Sequence, residues 1–187
     1  MTTAICIASG PSLTQEDVDF CKGKGKVYVV SDVHRIAPFA DVLYSCDFQW
    51  WDHYKGVPEF AGEKWTIDQR AEAKYKINRI NVLEKKPWSE EPGKIVTGGN
   101  SGFQCMNLAG VQGATRIILL GYDMQFGPDR KRHFFGEHPE QLTRSSNYKS
   151  WVEKFALAAP HIKAEVINCT RNSAIECFKK ADIREVL

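Results

Sequence analysis

Short apolar runs rich in β-branched residues alternate along the chain with segments of helical pattern, and this alternation predicts the architecture. Several runs are continuously apolar, as in strands that are buried on both faces of a sheet. Strands are predicted at Thr3–Ala8, Val27–Ser31, Val42–Cys46, Ile77–Val82, Ile117–Leu120 and Glu165–Asn168. Helices are predicted at Thr14–Cys21, Trp50–Tyr54, Ser101–Gln112, Tyr148–Ala158 and Ala174–Lys179. The repeated strand–helix–strand order indicates the α/β class, with a mostly parallel sheet and helices on both faces.

Length and charge narrow the class of protein. A chain of 187 residues predicts a single domain over residues 1–187. The net charge of +2 gives no specific nucleic-acid signal. No run approaches the roughly 20 apolar residues that span a bilayer, and no signal-peptide pattern is present, so we expect a cytoplasmic protein without a transmembrane segment. The six cysteines form no C-x-x-C pair, which favours reduced thiols over a zinc site. A homo-oligomer is compatible with a small α/β protein.

Small and polar residues follow the predicted strands, and ligands of parallel sheets bind at those carboxyl ends. The first strand runs into Ser9, Gly10, Pro11 and Ser12 at the start of a helix. Gly10 allows backbone to approach a ligand, and the N–H groups of a helix start attract an anion. A tight strand–helix corner without a ligand is the competing interpretation, because such connections are common. The turn is neither a Walker A loop nor the dinucleotide fingerprint.

Later strand ends carry further candidates. Asp32, Asp47 and Asp123 each follow a strand, where a carboxylate can accept hydrogen bonds from sugar hydroxyls or join a magnesium site. A loop aspartate that caps a turn is the alternative interpretation. The last predicted strand is followed by Asn172 and Ser173, and Ser173 is a plausible cap for the predicted last helix.

A second glycine-rich turn precedes the helix predicted at Ser101–Gln112. Asn100, Ser101 and Gly102 stand at the mouth of this helix, where backbone N–H groups can face an anion or a sugar. The small residues of this helix could equally serve close packing on the sheet. Residues 84–98 are rich in lysine, proline and glutamate, and are predicted to form a surface connection.

The polar segment 127–146 is the candidate for a mobile lid over the site, because long irregular segments in compact domains are usually functional or disordered. It contains His133 and His138, either of which could act as a general base. The preceding Arg130, Lys131 and Arg132 could neutralise a phosphate, although a solvated basic loop is equally consistent with this composition.

These motifs together resemble a known family. Ile7–Leu13, Ser101–Phe103, Ile117–Asp123, His133–His138 and Cys169–Ser173 are similar, in this order, to segments of the Campylobacter-type bacterial sialyltransferases. The Gly-Pro-Ser-Leu and Leu-x-Gly-x-Asp signals also occur in the archaeal 6-hydroxymethylpterin diphosphokinase-like family. The resemblance implies a Rossmann-like, nucleotide-binding domain that needs no cofactor and no metal.

The sialyltransferase resemblance also implies residue roles. It would place Ser9, Gly10 and Ser12 on the phosphate side of the nucleotide, Ser101 and Gly102 on the donor, and Asn172 and Ser173 on the phosphate or carboxylate. Their positions at strand ends and helix starts add Pro11, Asp32, Asp47 and Asn100 to the candidate nucleotide-binding residues. Asp123 would lie beside the nucleotide, and His133 or His138 would deprotonate the acceptor hydroxyl. The family's pair of tyrosines is replaced by Gln125 and Phe126, so Tyr122 or Tyr148 would have to substitute.

Three functions follow as hypotheses. The first is a sialyltransferase-like glycosyltransferase that uses a nucleotide-activated sugar and a hydroxyl acceptor. The second is a magnesium-dependent diphosphokinase that uses ATP and a small alcohol such as a hydroxymethylpterin, with magnesium on the three strand-end aspartates. The third is a nucleotide-binding protein without catalysis.

Overall fold

A computed structural model describes residues 2–142 and 145–187 of the chain. The larger sheet contains β1 (Thr3–Ile7), β2 (Lys26–Val30), β3 (Val42–Tyr44), β4 (Glu63–Thr66), β5 (Asn78–Arg79), β8 (Arg116–Leu120), β9 (Glu165–Asn168) and β10 (Lys179–Lys180), and a small second sheet pairs β6 (Asn81–Val82) with β7 (Lys94–Ile95). The helices are α1 (Gln15–Phe20), α2 (Phe48–His53), α3 (Gln69–Tyr75), α4 (Ser101–Val111), α5 (Tyr148–Ala158) and α6 (Ile183–Val186). The α/β class and the Rossmann-like fold are therefore confirmed.

The strand order of the eight-stranded sheet is β10-β9-β8-β1-β2-β3-β4-β5, and the strand pairs are parallel. Strand β1 is central: Ile5 lies opposite Val27 of β2 on one side and Ile118 of β8 on the other. The chain proceeds outward from β1 to β5 in one direction and continues from β8 to β10 in the other. The connections that follow β1 and β8 therefore diverge, which leaves a crevice at their carboxyl ends.

Two hydrophobic clusters cover the two faces of the sheet, and this explains the continuously apolar strands. In β1, Ile5 and Ile7 belong to the cluster that contains residues of α1, α2, α3 and α6. Ala4 and Cys6, which point the other way, belong to the cluster that contains residues of α4 and α5. Successive strand residues face opposite sides, so each face needs its own apolar set. The small side chains of β1 allow α4 to pack closely on the sheet.

Side chains at the helix starts define where the helices begin. Thr14, Asp47, Asp68 and Asn100 each accept a hydrogen bond from a backbone N–H in the first turn of the helix that follows. These caps satisfy N–H groups that have no partner within the helix. Thr14 caps α1, and Asn100 holds the start of α4 at the predicted position. No helix in the described ranges is long and apolar enough to cross a membrane.

Several sequence predictions are wrong. The segment predicted as a last helix, Ala174–Lys179, is irregular as far as Phe178 and then begins β10, and the short helix α6 lies further on. The run Ile77–Val82 is divided between two sheets as β5 and β6. The predicted surface connection 84–98 contains β7 and a buried Trp88. Strands β4, β7 and β10 and helix α3 are not predicted by the apolar pattern, because their sequences are short and rich in charged residues.

Candidate functional site

A cavity of about 250 Å³ lies at the carboxyl ends of the central strands. The cavity is lined by residues that follow β1, β2 and β3, by the segment after β8 and by the start of α4. Most of the predicted site residues meet there: Ser9, Gly10, Pro11, Asp47, Asn100, Ser101, Gly102, Asp123, His133 and His138. The strand order explains this convergence, because parallel strands bring their carboxyl ends to one edge of the sheet.

Gly10 and Asp123 form one wall of the cavity. The Gly10 N–H donates to the Gly121 carbonyl at 2.8 Å, and the Ser12 N–H donates to Asp123 Oδ2 at 3.1 Å. The other carboxylate oxygen, Asp123 Oδ1, is buried without a hydrogen-bond partner among the described residues. Burial raises the pKa of Asp123 to about 6, although the hydrogen bonding from Ser12 opposes this shift. Asp123 can therefore present either a carboxylate or a carboxylic acid near neutral pH.

The N-terminus of α4 forms the opposite wall. The Asn100 side chain accepts the Phe103 N–H at 2.9 Å through its Oδ1, while its Nδ2 is buried without a hydrogen-bond partner among the described residues. Ser101 Oγ accepts the Cys46 N–H at 3.2 Å and lies 3.1 Å from Cys46 Sγ, which ties the helix start to the end of β3. The positive end of this helix therefore faces the cavity, which favours an anionic or hydroxyl-bearing ligand, and Asn100 at the cavity wall has an unused amide donor.

The first lid histidine contacts the loop after β1. His133 Nδ1 lies 2.9 Å from Ser9 Oγ, and the Phe134 N–H donates to the Ser9 carbonyl at 3.1 Å. A short antiparallel bridge between His133 and Gly136 closes the turn in between. Burial lowers the pKa of His133 to about 4, with a further contribution from the nearby His138. His133 is therefore a neutral imidazole at physiological pH.

The second histidine lies next to the first and reaches a buried carboxylate. The ring centroids of His133 and His138 are 4.5 Å apart, and His138 Nδ1 lies 3.5 Å from Asp32 Oδ2. Burial lowers the pKa of His138, while the Asp32 carboxylate opposes that shift. Asp32 in turn accepts hydrogen bonds from Trp50 Nε1 at 2.8 Å and the Tyr54 hydroxyl at 2.6 Å. A continuous line of polar groups thus runs from Ser9 to Asp32.

Backbone strain marks the same edge of the sheet. Ser31 and Met124 both have positive φ, at +49° each, and they flank Asp32 and Asp123 in the sequence. A left-handed conformation is unfavourable for residues with a side chain, and such strain clusters at functional sites. Ser31 and Met124 both line the cavity.

Four of the predicted site residues do not line the cavity. They are Ser12, Asp32, Asn172 and Ser173. Asp32 lies behind the histidines, as described above, and Ser12 supports Asp123 through its backbone.

The predicted helix cap at Ser173 is wrong, since no helix begins directly after it and α6 starts only at Ile183. Ser173 Oγ instead donates to the Tyr122 carbonyl at 2.6 Å, which joins two strand ends. The Asn172 side chain contacts Gln125 at the surface, where Gln125 Nε2 donates to Asn172 Oδ1 at 3.0 Å. Both residues therefore have a structural contact outside the cavity.

Other lining residues are absent from the predicted set. Trp151 of α5 lies against Gly99, where an added Cβ would come within 3.2 Å of the indole. Tyr148, one turn earlier and named above as a possible substitute for the family's tyrosines, also lines the cavity, and its ring centroid is 5.4 Å from that of Trp151. The spacing of three residues at a helix start was the signal for a shared aromatic face. Tyr122 cannot take the tyrosine role, because it is fully buried and its hydroxyl donates to the Gly102 carbonyl.

The predicted lid 127–146 follows β8 and covers part of the cavity, although Thr143 and Arg144 lie outside the described residues. Arg132 lines the cavity next to Glu137, whose carboxylate it contacts at 3.4 Å. The three strand-end aspartates do not assemble: across residues 2–142 and 145–187, no group of three acidic, histidine or cysteine side chains could hold a metal ion. The donor set therefore does not fit the magnesium site of the diphosphokinase hypothesis.

Comparison with known proteins gives one informative match. A search of solved structures finds the structure of MAf glycosyltransferase from Magnetospirillum magneticum AMB-1, at a TM-score of 0.68 and 13% sequence identity. The match covers 98% of this chain and 34% of that chain, so this chain spans about a third of the length of that protein. No protein-family model matches the sequence, and a search of curated proteins finds no significant match. The fold is thus shared with a glycosyltransferase, while the narrower resemblance to sialyltransferases stays a prediction.

Proposed function

We propose that the chain binds a nucleotide-activated sugar in this cavity and transfers the sugar to a hydroxyl acceptor. We further propose that the donor is a cytidine nucleotide sugar, as the resemblance to sialyltransferases suggests. The fold shared with the MAf glycosyltransferase supports the general reaction class. The similarity of Ile7–Leu13 and His133–His138 to sialyltransferase segments supports the finer assignment.

The observation that carries the proposal is that the two histidines and the N-terminus of α4 line the same cavity. Both histidines and Ser101 and Gly102 line the same cavity, so a base and an anion-binding helix start face a common space. A glycosyl transfer needs both: a base to take the acceptor proton, and positive potential to stabilise the departing phosphate.

The reaction would proceed by in-line attack. The acceptor oxygen forms a bond to the anomeric carbon as the bond from that carbon to the phosphate oxygen breaks. The acceptor proton passes to a histidine nitrogen, and the electron pair of the broken bond leaves with the nucleotide. The helix start at Ser101 and Gly102 and the guanidinium of Arg132 support the leaving phosphate, and Asp123 supports the nucleotide.

Thermal unfolding with a ligand panel tests this proposal. We would measure the unfolding midpoint with CMP, CDP, UDP, GDP, ATP and a pterin alcohol, each with and without magnesium, because a ligand of the folded state raises the midpoint. A rise with CMP or CDP without magnesium is expected. A magnesium-dependent rise with ATP alone would support the diphosphokinase hypothesis, and no rise with any compound would overturn both.

Turnover separates catalysis from binding. Wild-type protein that shows the expected CMP response is incubated with CMP-sialic acid and a hydroxyl acceptor, and CMP release and acceptor modification are measured. Transfer is expected, and its loss on His133→Ala with His138→Ala would assign the base to the histidine pair. Intact CMP binding without turnover on a broad acceptor panel would select the non-catalytic alternative.

A further inference from the structure

Asp32 is a buried carboxylate whose environment holds it in one orientation. The residue is 1% exposed, and its two oxygens accept hydrogen bonds from Trp50 Nε1 and the Tyr54 hydroxyl. These two aromatic rings pack on each other, with centroids 5.0 Å apart. Burying a carboxylate is costly unless it is paired and hydrogen-bonded. Asp32 is therefore an energetically costly buried carboxylate at a position that does not line the cavity.

One further polar group faces this carboxylate from the lid segment. His138 Nδ1 lies 3.5 Å from Asp32 Oδ2, which is within ion-pair distance but does not have the geometry of a hydrogen bond. Catalytic hydrogen bonds in ligand-free enzymes are often long and shorten in the complex. On the other side, Arg35 Nη1 lies 3.9 Å from Asp32 Oδ1 at the exposed end of the same turn.

We propose that Asp32 is a positioning residue that orients His138 and fixes its Nδ1–H tautomer, which makes His138 Nε2 the base that takes the acceptor proton. This inference rests on the proposed function for the identity of the reaction. It assigns Asp32 a role behind the histidine in place of the nucleotide contact expected from the sequence.

The proton of the acceptor hydroxyl can be followed through the proposed step. A neutral imidazole that carries its proton on Nδ1 has its lone pair on Nε2. When the acceptor oxygen bonds to the sugar carbon, its proton moves to Nε2, and the imidazolium that results lies beside the negative charge of Asp32. The carboxylate stabilises this charge without itself taking a proton, as in a base–orienter pair.

His133 is less suited to this role. Its Nδ1 contacts the neutral hydroxyl of Ser9 rather than a carboxylate, and the charges that act on it include Arg132 as well as Asp32. His138 instead lies 3.5 Å from the Asp32 carboxylate, and the negative charges of Glu137 and Asp47 also favour its protonated form. In this arrangement His133 positions the loop after β1, and the carboxylate-facing His138 receives the proton.

Nitrogen NMR of the histidine side chains tests the orientation without any substrate. In wild-type protein at neutral pH, His138 is expected to show protonated Nδ1 and unprotonated Nε2. Asp32→Asn should shift His138 toward the Nε2–H tautomer and lower its pKa. Asp19→Asn removes the charge of an exposed carboxylate on α1, so the His138 tautomer should remain that of the wild type.

A second variant tests the same contact if Asp32→Asn fails to fold. Tyr54→Phe removes one of the two donors that hold Asp32 but keeps the carboxylate, so a smaller shift of the His138 tautomer in the same direction is expected. A His138 tautomer that is identical in wild type, Tyr54→Phe and folded Asp32→Asn would overturn the proposal.

Kinetics distinguish this inference from the proposed function. If wild-type protein transfers a sugar, Asp32→Asn should lower kcat by about 10-fold to 100-fold with little change in the donor KM, since general-base catalysis contributes about 10²–10⁴-fold. An unchanged kcat in Asp32→Asn would overturn the positioning role. No transfer by wild-type protein with an intact NMR response would overturn the proposed function and leave the orientation of His138 by Asp32 supported.

Discussion

Gly10 and Asp123 touch across the central strand pair so closely that no side chain fits between them. A Cβ atom built at Gly10 would overlap Asp123 Oδ1 and would lie 2.6 Å from Asp123 Cγ. The glycine is thus needed for space, since its φ is not in the left-handed region. The close approach brings the loop after β1 onto the carboxylate that follows β8.

Gly10→Ala should therefore destabilise the protein and disturb the cavity together. We expect a loss of about 1–3 kcal/mol, the usual cost of overpacking, measured by urea denaturation. Gly93→Ala is the control: nothing lies within 4 Å of an added Cβ there, but φ is +77°. That variant should lose roughly 1–2 kcal/mol from backbone strain and should bind CMP like the wild type. Equal CMP binding in both variants would contradict the close approach of Gly10 to the ligand space.

Asp123→Asn should change the pH dependence of stability. The pKa of Asp123 is raised from 3.8 to about 6, so its contribution to stability is fully present below pH 3.8 and is lost as the pH rises through 6. The free energy of unfolding of the asparagine variant, relative to that of the wild type, should therefore increase between these pH values by up to about 3 kcal/mol. Denaturation midpoints from pH 3.5 to 8 measure this difference. The exposed Asp19→Asn is the control, and parallel profiles for wild type and Asp123→Asn would contradict the raised pKa.

His133 should produce the opposite trend. Its pKa is lowered from 6.5 to about 4, so its contribution to stability is fully present above pH 6.5 and is lost as the pH falls through 4. This loss of stability at acidic pH can amount to about 3 kcal/mol, and His133→Gln should remove it. Proton NMR titration of the histidines gives the direct measurement, with the exposed His161→Gln used to assign the resonances. A His133 resonance that titrates near 6.5 would refute the prediction.

Asn100→Asp should separate folding from binding at the start of α4. Aspartate caps helices about as well as asparagine, so stability should stay within about 0.5 kcal/mol of the wild type. The buried Nδ2 donor would be replaced by a carboxylate oxygen, so CMP binding should weaken at least about 10-fold, which corresponds to roughly 1.4 kcal/mol. Asn100→Ala, which loses the cap, should cost about 1 kcal/mol of stability. Isothermal titration and thermal unfolding distinguish the two effects, and undiminished CMP binding by Asn100→Asp would remove Asn100 from the site.

The central part of the fold was predictable from the sequence, and the edges were not. Strands β1, β2, β3 and β8 are mostly apolar because helices cover both of their faces, so composition alone indicates them. Strand β4 reads Glu-Lys-Trp-Thr, and its position depends on pairing with β3 rather than on its own pattern. The segment Ala174–Lys179 has a helical pattern, but tertiary contacts of Ile175 and the pairing of β10 with β9 override it.

The candidate site was likewise predictable only where it follows from the order of the central strands. Residues at strand ends could be predicted to converge, because parallel topology brings the carboxyl ends of strands to one edge. Whether each side chain faces the cavity could not be predicted, since Asp32 turns toward Trp50 and Tyr54 through a turn with a strained Ser31. Trp151 was missed because its helix begins far along the chain and meets Gly99 only in the folded state.

The position of β1 at the centre of the sheet has a kinetic consequence. The bond between Ser12 and Asp123 joins residues 111 apart in sequence, and the contact between Ser9 and His133 joins residues 124 apart. Non-local pairings of this kind form slowly, because a long loop must close before any contact is gained. The half of the sheet from β1 to β5 can assemble from nearer neighbours, whereas the cavity requires β8 to dock. During refolding, we therefore expect ligand binding to appear in the last phase, after most of the β-strand structure has formed.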